Sequence, residues 1–513
     1  MKLKYILIGF ASVTLLPSCD LQYDPKGIYS DVTEGVNEEG EELVFKTRED
    51  VEIYLQDLYV RPTENNTQYN WFRDQMMISD AHSDNAYAGT SGAEVVSIEN
   101  NAVDAPHMMI ERLWTRWMDD VAFVNKLICN VDNVLDGSLS QEEIDRYKAQ
   151  GMIFRAIVWF DMARMWGNIP LVESVAGNIT ADNIEEVYPA YFPEQKTEEE
   201  AYRKIEEDLL FALEHAPDAR GNKTLFSKEV ALCLLAKIYA EKPIRDYSKV
   251  VYYADQLAAR GYDLVDDYEK LFALDGNPNE DPSKSAIPAY SNTVESILEF
   301  HFIVGSNNKN TVTIFGRDWA KWDSQFTWAK WVTPSRDLIA AFESEGDTKR
   351  LNSSVVYYSC NWSKYYPSDN YPFMFKSRSR YSTWIKFRYA DILLLKAEAY
   401  IMGPNMNLNA AADIIDRIRE RVGLDKLSST VRGNKELMLN AYMKERRLEL
   451  AFEWQRWFDL VRLDKVEEVM NGLQSRDSGH LAFVNLFNQD SYRFPIPQSV
   501  IDTNDNFVQN PGY

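Results

Sequence analysis

TEEEAYRKIEEDLLFALEHAPDARGNKTLFSKEVALCLLAKIYAEKPIRDYSKVVYYADQLAARG, residues 197–261, decides the fold class. Thr197-x-x-Glu200 is a capping box, because a Thr oxygen and a Glu carboxylate can satisfy each other's orphan backbone donors at a helix start. Tyr202, Ile205 and Leu209 then recur at helical spacing, and Pro217 closes the segment. Ser227 opens a second helix with Ala231, Leu234, Leu235 and Ile238 inward. A third carries Val251, Ala254, Leu257 and Ala258 and ends at Gly261. No such helix pair buries its apolar stripe alone, whereas stacked pairs do. The stretch therefore predicts a mostly α protein built on a tetratricopeptide-like helical repeat scaffold.

The pattern extends outward in both directions. Upstream, Thr47 is the expected N-cap of a first helix, with Asp50 three residues on. Trp114, Trp117, Val121, Val124, Ile128 and Val131 form one helical stripe. Ser140-x-x-Glu143 caps a long helix with Tyr147, Gly151, Phe154, Val158, Met162 and Met165 on one face, stopped by Gly167 and Pro170. Downstream, FRYADILLLKAEAYIM places Ala390, Leu393, Leu394, Ala397 and Ile401 together, and NAAADIIDRIRERVG places Ala411, Ile414, Ile415, Ile418 and Val422 together, with Gly423 as C-cap. KERRLELAFEWQRWFDLVRL reads as a further helix aligning Leu450, Trp454, Trp457 and Val461. Its charges are spaced for Arg446–Glu449, Glu453–Arg456 and Asp459–Arg462 pairs, a structural network rather than a catalytic cluster.

Between residues 262 and 385 helical periodicity fades, Gly, Pro, Asn, Ser and Tyr rise, and only SILEFHFIV (Ser296–Val304) alternates like a strand. The expected organisation is a leader at 1–18, a lipidated N-terminus and tether at 19–44, and an N-terminal helical part at 45–261. A loop-rich insertion with little β structure follows at 262–385, then C-terminal helices and an extended tail at 386–513. Loop-rich segments on a rigid scaffold are where binding residues concentrate.

The N-terminus reads as an export signal. Lys2 and Lys4 precede an apolar run, and Leu16-Pro17-Ser18-Cys19 follows, resembling a bacterial lipobox in which Cys19 carries lipid. No later segment has the apolar length of a membrane helix. The other cysteines, Cys129, Cys233 and Cys360, are odd in number and show no Cys-x-x-Cys spacing, so neither a disulfide framework nor a structural zinc site is expected. Cys129 and Cys233 fall in helical apolar patterns and are expected to be buried.

A net charge of −24 with no basic patch excludes a nucleic-acid partner. The chain lacks a His-Glu-x-x-His, a phosphate-binding glycine loop, a Gly-x-Ser-x-Gly and a dinucleotide fingerprint, and its five His have no metal-ligand spacing. DGNPNED (Asp275–Asp281) begins like a calcium loop, but Glu280 stands where Gly is needed and Ala286 where a bidentate Glu is needed. No enzyme, cofactor or metal is expected.

Aromatic residues are abundant, with 24 Phe, 29 Tyr and 13 Trp. WAKWDSQFTWAKW (residues 319–331) concentrates Trp319, Trp322, Trp328 and Trp331 with polar residues between them, and Trp362, Tyr365 and Tyr366 follow in another loop-like segment. Saccharides present flat C–H faces rimmed by hydroxyls. An aromatic floor with polar edges suits them, whereas burial in a core is the alternative.

RAIVWFDMARMWGNIPLV (155–172), RYADILLLKAEAY (388–400), ERRLELAFEWQRWFDLVR (445–462), the tail FPIPQSVIDTNDNFVQNPGY (494–513) and the lipobox Cys19 together resemble the SusD/RagB family of Bacteroidetes surface lipoproteins. The resemblance implies a lipid-anchored outer-membrane protein facing the exterior, non-catalytic, and partnered by a SusC-like TonB-dependent transporter to which it delivers glycan. It also implies that mid-chain aromatic loops are joined at the ligand by an N-terminal loop. Here that loop is QYNWFRDQMMISDAHSDNAYAG (68–89), in which Trp71, Asp84, Asn85 and Tyr87 are the expected ligand residues. Rival readings are a peptide-capturing member of the same family, a surface glycoside hydrolase using two of the many carboxylates, and a helical adaptor with a protein partner only.

Overall fold

The computed structural model describes residues 44–64, 67–175, 191–273, 291–302, 329–378 and 383–513, with Glu185 and Tyr188. The tether, the Asp275–Asp281 turn, and Trp319, Trp322 and Trp328 lie outside them. The helices that organise the fold are α1 (Arg48–Val60), α2 (Ala93–Glu99), α3 (Met108–Asn130), α4 (Gln141–Trp166), α5 (Glu198–His215), α6 (Lys228–Ile238) and α7 (Tyr247–Ala259). They continue with α8 (Arg336–Glu345), α9 (Thr348–Ser354), α10 (Tyr389–Met402), α11 (Leu408–Arg421), α12 (Lys435–Glu449), α13 (Arg456–Arg462) and α14 (Val466–Met470). The strands are short: β1 (Ala86–Tyr87), β2 (Ile169–Pro170), β3 (Gln195–Lys196), β4 (Ser296–Phe300), β5 (Thr333–Pro334), β6 (Val355–Tyr358), β7 (Tyr371–Met374) and β8 (Trp384–Arg388). They form antiparallel pairs β1–β5, β2–β3, β4–β8 and β6–β7. The protein is mostly α, as residues 197–261 imply.

Each scaffold helix packs on the next: α3 on α4, α4 on α5, α5 on α6 and α6 on α7. The stack then jumps along the chain, with α7 against α10 and α10 against α11 and α12. Capping boxes form at Thr47/Asp50, Ser140/Glu143 and Thr197/Glu200. Gly151 lets α4 approach α3, since a Cβ there would lie 3.0 Å from Ile128 Cγ1 and 3.3 Å from Val124 Cγ2. Gly167 ends α4 with a φ of +72°, a conformation that suits glycine.

Four expectations need correction. The buried face of α7 is Val250, Tyr253, Ala254 and Leu257, while Val251 is half-buried and Ala258 exposed. The face is turned by about one residue, because Tyr247 and Tyr253 anchor the helix inward. Cys233 is buried, but Cys129 is exposed, one position past the Val124–Ile128 stripe. The insertion is more regular than its composition suggests, since it holds α8 and α9 as well as strands. β4 does not alternate, because all five of its residues are buried.

The largest difference lies in residues 445–462. The helix stops at Glu449, Phe452 and Trp454 take φ values of +62° and +60°, and α13 begins at Arg456. Of the three spaced charge pairs only Asp459–Arg462 forms, at 2.9 Å. Arg446 instead binds Asp459 and Asp391, each at 2.7 Å. Glu453 accepts from Arg388 Nε at 2.6 Å, and the same guanidinium reaches Glu449 at 2.6 Å and Glu295 at 2.7 Å. The network is structural, and it joins distant elements rather than successive turns.

Candidate functional site

Three segments far apart in sequence meet at β1 and β5. Ala86 pairs with Pro334 and Tyr87 with Thr333. Just beyond β1, the backbone at Gly89 lies so close to the other strand that a Cβ would sit 2.0 Å from the Lys330 carbonyl oxygen. The third segment enters through Tyr365, whose ring stacks on Tyr87 at 4.4 Å and 19°. Tyr366 donates from its hydroxyl to the Pro334 carbonyl at 2.8 Å. The fold thus brings residues 84–89, 329–334 and 362–366 together.

The aromatic residues at this junction divide into struts and half-exposed rings. Trp331 and Trp362 are half-buried. The Arg73 guanidinium lies between the Trp331 ring at 4.6 Å and the Tyr69 ring at 3.9 Å. Arg73 ends a π-helical turn (Tyr69–Arg73) and donates to Asp74 at 2.8 Å, which fixes its plane. The Lys330 Nζ lies 3.7 Å from the Trp362 ring and 4.8 Å from the Tyr371 ring, and donates to the Trp362 carbonyl at 2.6 Å. Lys330 holds a φ of +48°, which a side-chain-bearing residue adopts at a cost of about 1 kcal/mol. Burial pushes its ammonium pKa down to about 8. Each tryptophan is therefore braced by a cation, and cation and ring together form a rigid surface.

The other expected ligand residues in the described chain are struts, which corrects their assignment. Trp71 is 1% exposed, donates from Nε1 to Asp120 at 2.9 Å, and packs on Phe154 and Phe300. Asp84 is buried and accepts both forks of Arg456 at 2.7 and 2.8 Å. Burial raises its carboxyl pKa, but Arg447 and Arg456 overcome that and hold it well below the usual range. Asn85 is buried between Asp80, to which it donates at 3.0 Å, and Arg447 Nε, from which it accepts at 3.0 Å. Tyr87 is fully buried, donates to Asp477 and accepts from the Arg336 backbone at 2.9 Å. Tyr365 is buried and donates to Glu99, a carboxylate that also accepts from the backbone of Ala88 and Leu481.

Tyr69, Arg73 and Lys330 were not singled out by the sequence. Arg73 and Lys330 stand beside the chosen aromatics, in NWFRD and WAKW, and an aromatic–cation neighbour pair was the available signal. Among the described residues no group of His, Cys, Asp or Glu is arranged to hold a metal ion. None of the described helices is long and apolar enough to cross a membrane.

Comparison with known proteins gives a consistent result. A family model described as the SusD family matches residues 310–513, and one described as "Starch-binding associating with outer membrane" matches residues 37–240. SusD-like protein P2 of Formosa agariphila is 24% identical over 543 residues, covering 98% of each chain. The fold is similar to that of a SusD superfamily protein from Bacteroides vulgatus, with a TM-score of 0.71 and 19% identity over 91% of this chain and 99% of that one. It is also similar to a laminarin-binding SusD-like protein, with a TM-score of 0.64 and 22% identity over 91% of this chain and 100% of that one. The helical stack and the two matched segments place this chain in the SusD family.

Proposed function

We propose that this chain is a non-catalytic, cell-surface glycan-binding lipoprotein. It is anchored at the outer membrane through Cys19, faces the exterior, and passes oligosaccharide to a SusC-like TonB-dependent transporter. The observation that carries the reading is the junction of three segments at which Trp331 and Trp362 stay half-exposed while a cation fixes each ring. Flat rings held in place stack on sugar faces without first losing rotamer freedom. Trp319, Trp322 and Trp328 precede Trp331 in the same stretch and belong to the proposed aromatic arc. A SusD-like protein of the same fold is named for laminarin binding, which makes that β-glucan a sensible first probe beside starch.

The test is substitution of the two described tryptophans. With a glycan that binds the wild-type chain, Trp331→Ala and Trp362→Ala should each weaken binding about tenfold, while the melting temperature changes little. Unchanged affinity in both variants would remove the site from this surface.

A further inference from the structure

A cleft of about 250 Å³ lies between α8, α12 and α14. Its wall carries Lys444, Arg447, Arg456 and Arg476 against Asp84 and Glu468. In a chain of net charge −24 this is a local excess of cations. The arginines share carboxylates rather than owning them. Arg456 takes both oxygens of Asp84 at 2.7 and 2.8 Å. Arg447 Nη2 lies 3.3 Å from the same carboxylate and 2.9 Å from Asp337. Arg476 Nε donates to that Asp337 at 3.1 Å. Three guanidiniums are thus neutralised by two carboxylates. Glu468 is turned to Lys465, and Lys444 to Glu345.

The donor geometry points the same way. The Arg447 and Arg456 side chains are each 9% accessible. Their Nε and Nη2 atoms are used on Asn85, Asp84 and Asp337, and no acceptor among the described residues takes either Nη1. Burial lowers the Arg447 pKa against the opposing pull of Asp84, whereas Asp84 holds that of Arg456 up. Guanidiniums that line one cavity and keep N–H groups taken by no acceptor among the described residues match an anion whose oxygens point in several directions.

We propose that this cleft binds a tetrahedral oxyanion, sulfate or phosphate, free or as the terminal group of an ester. The site adjoins the aromatic junction through Asp84 and does not depend on glycan capture there. Lys444 and Arg476, 49% and 39% exposed, form its adjustable rim. Glu468, 67% exposed, is the rim carboxylate that opposes an anion.

The test is calorimetric titration of the full-length chain at constant ionic strength with sodium sulfate, inorganic phosphate and glucose 6-sulfate, against sodium chloride. Saturable heat is expected with at least one of the three. Lys444→Gln and Arg476→Gln should each weaken it about tenfold, by loss of a charge-assisted contact, and Glu468→Gln should tighten it about threefold. All three positions are on the rim, so melting curves close to wild type should accompany these changes. Heat with the sugar sulfate alone would assign the site to an ester, and heat with the inorganic ions would assign it to free oxyanion. No saturable heat with any of the three, or equal affinity in all three variants, would overturn the proposal.

Discussion

Asp80 is fully buried, and its oxygens accept from Asn85 Nδ2, Ser79 Oγ and the Phe452 backbone N–H, each at 3.0 Å. All three donors are neutral, so burial dominates and pushes its pKa up to about 6. A carboxylate whose folded pKa is raised holds its proton in the native state while the unfolded chain has lost it. Its contribution to stability is therefore lost as pH rises from about 4 to 6. Asp80→Asn removes this dependence. The stability of the variant relative to wild type should rise by up to about 3 kcal/mol between pH 4 and 7, measured by denaturant titration at each pH. A difference constant across that range would contradict the buried, uncompensated carboxylate. Gly89 gives a steric counterpart. The Cβ of Gly89→Ala would press on the backbone oxygen of Lys330, so a loss of about 2–3 kcal/mol is expected on thermal melting. At this scale the sequence supplied residue types but not their burial. Asp84, Asn85 and Tyr87 look like ligand residues in a polar loop. What makes them struts is Arg447, Arg456 and Asp477, hundreds of positions away.

Helix starts were legible because their chemistry is local. Thr197 and Glu200 lie within one turn of each other, and the box they form needs nothing else. Thr197→Ala should lower stability by about 1 kcal/mol, read from denaturant unfolding. A larger side chain at Gly151 acts across two elements. Gly151→Val would drive α4 away from Val124 and Ile128 on α3 and should cost about 2–3 kcal/mol. The break between α12 and α13 was not legible, since LELAFEWQRWF carries no Gly or Pro. It is imposed by partners outside the segment: Asp80 takes the Phe452 N–H, and the Phe72 carbonyl takes Trp454 Nε1 at 3.1 Å. The two left-handed residues are affordable only because both rings end in the core. The insertion was misread for a related reason. Its helix α8 buries only Leu338, Ile339 and Phe342, too few to stand out among the surrounding Tyr, Ser and Pro.

Across the whole molecule, buried ion pairs connect what the sequence separates. Arg388 at the end of β8 reaches Glu295 before β4, Glu449 at the end of α12 and Glu453 in the break. Removing the cation would leave three buried carboxylates without their shared partner. Arg388→Met should therefore cost about 3–5 kcal/mol, seen as a large drop in melting temperature. The mostly helical class was readable from residues 197–261 alone, because stacked amphipathic helices impose their own period. The loop junction was readable only in outline. Residues 84–89, 329–334 and 362–366 meet in the structure, but which rings remain half-exposed there depends on packing that no local pattern encodes. The central claim is capture of glycan without turnover. Its most direct test is calorimetric titration of the chain from Asp20 onward, which keeps every described residue, with laminarin, starch and a panel of peptides, followed by chromatography of the ligand. The account predicts saturable heat with a glycan and recovery of that glycan intact. Heat with peptides alone, or release of shorter sugars abolished by one carboxylate substitution, would contradict it.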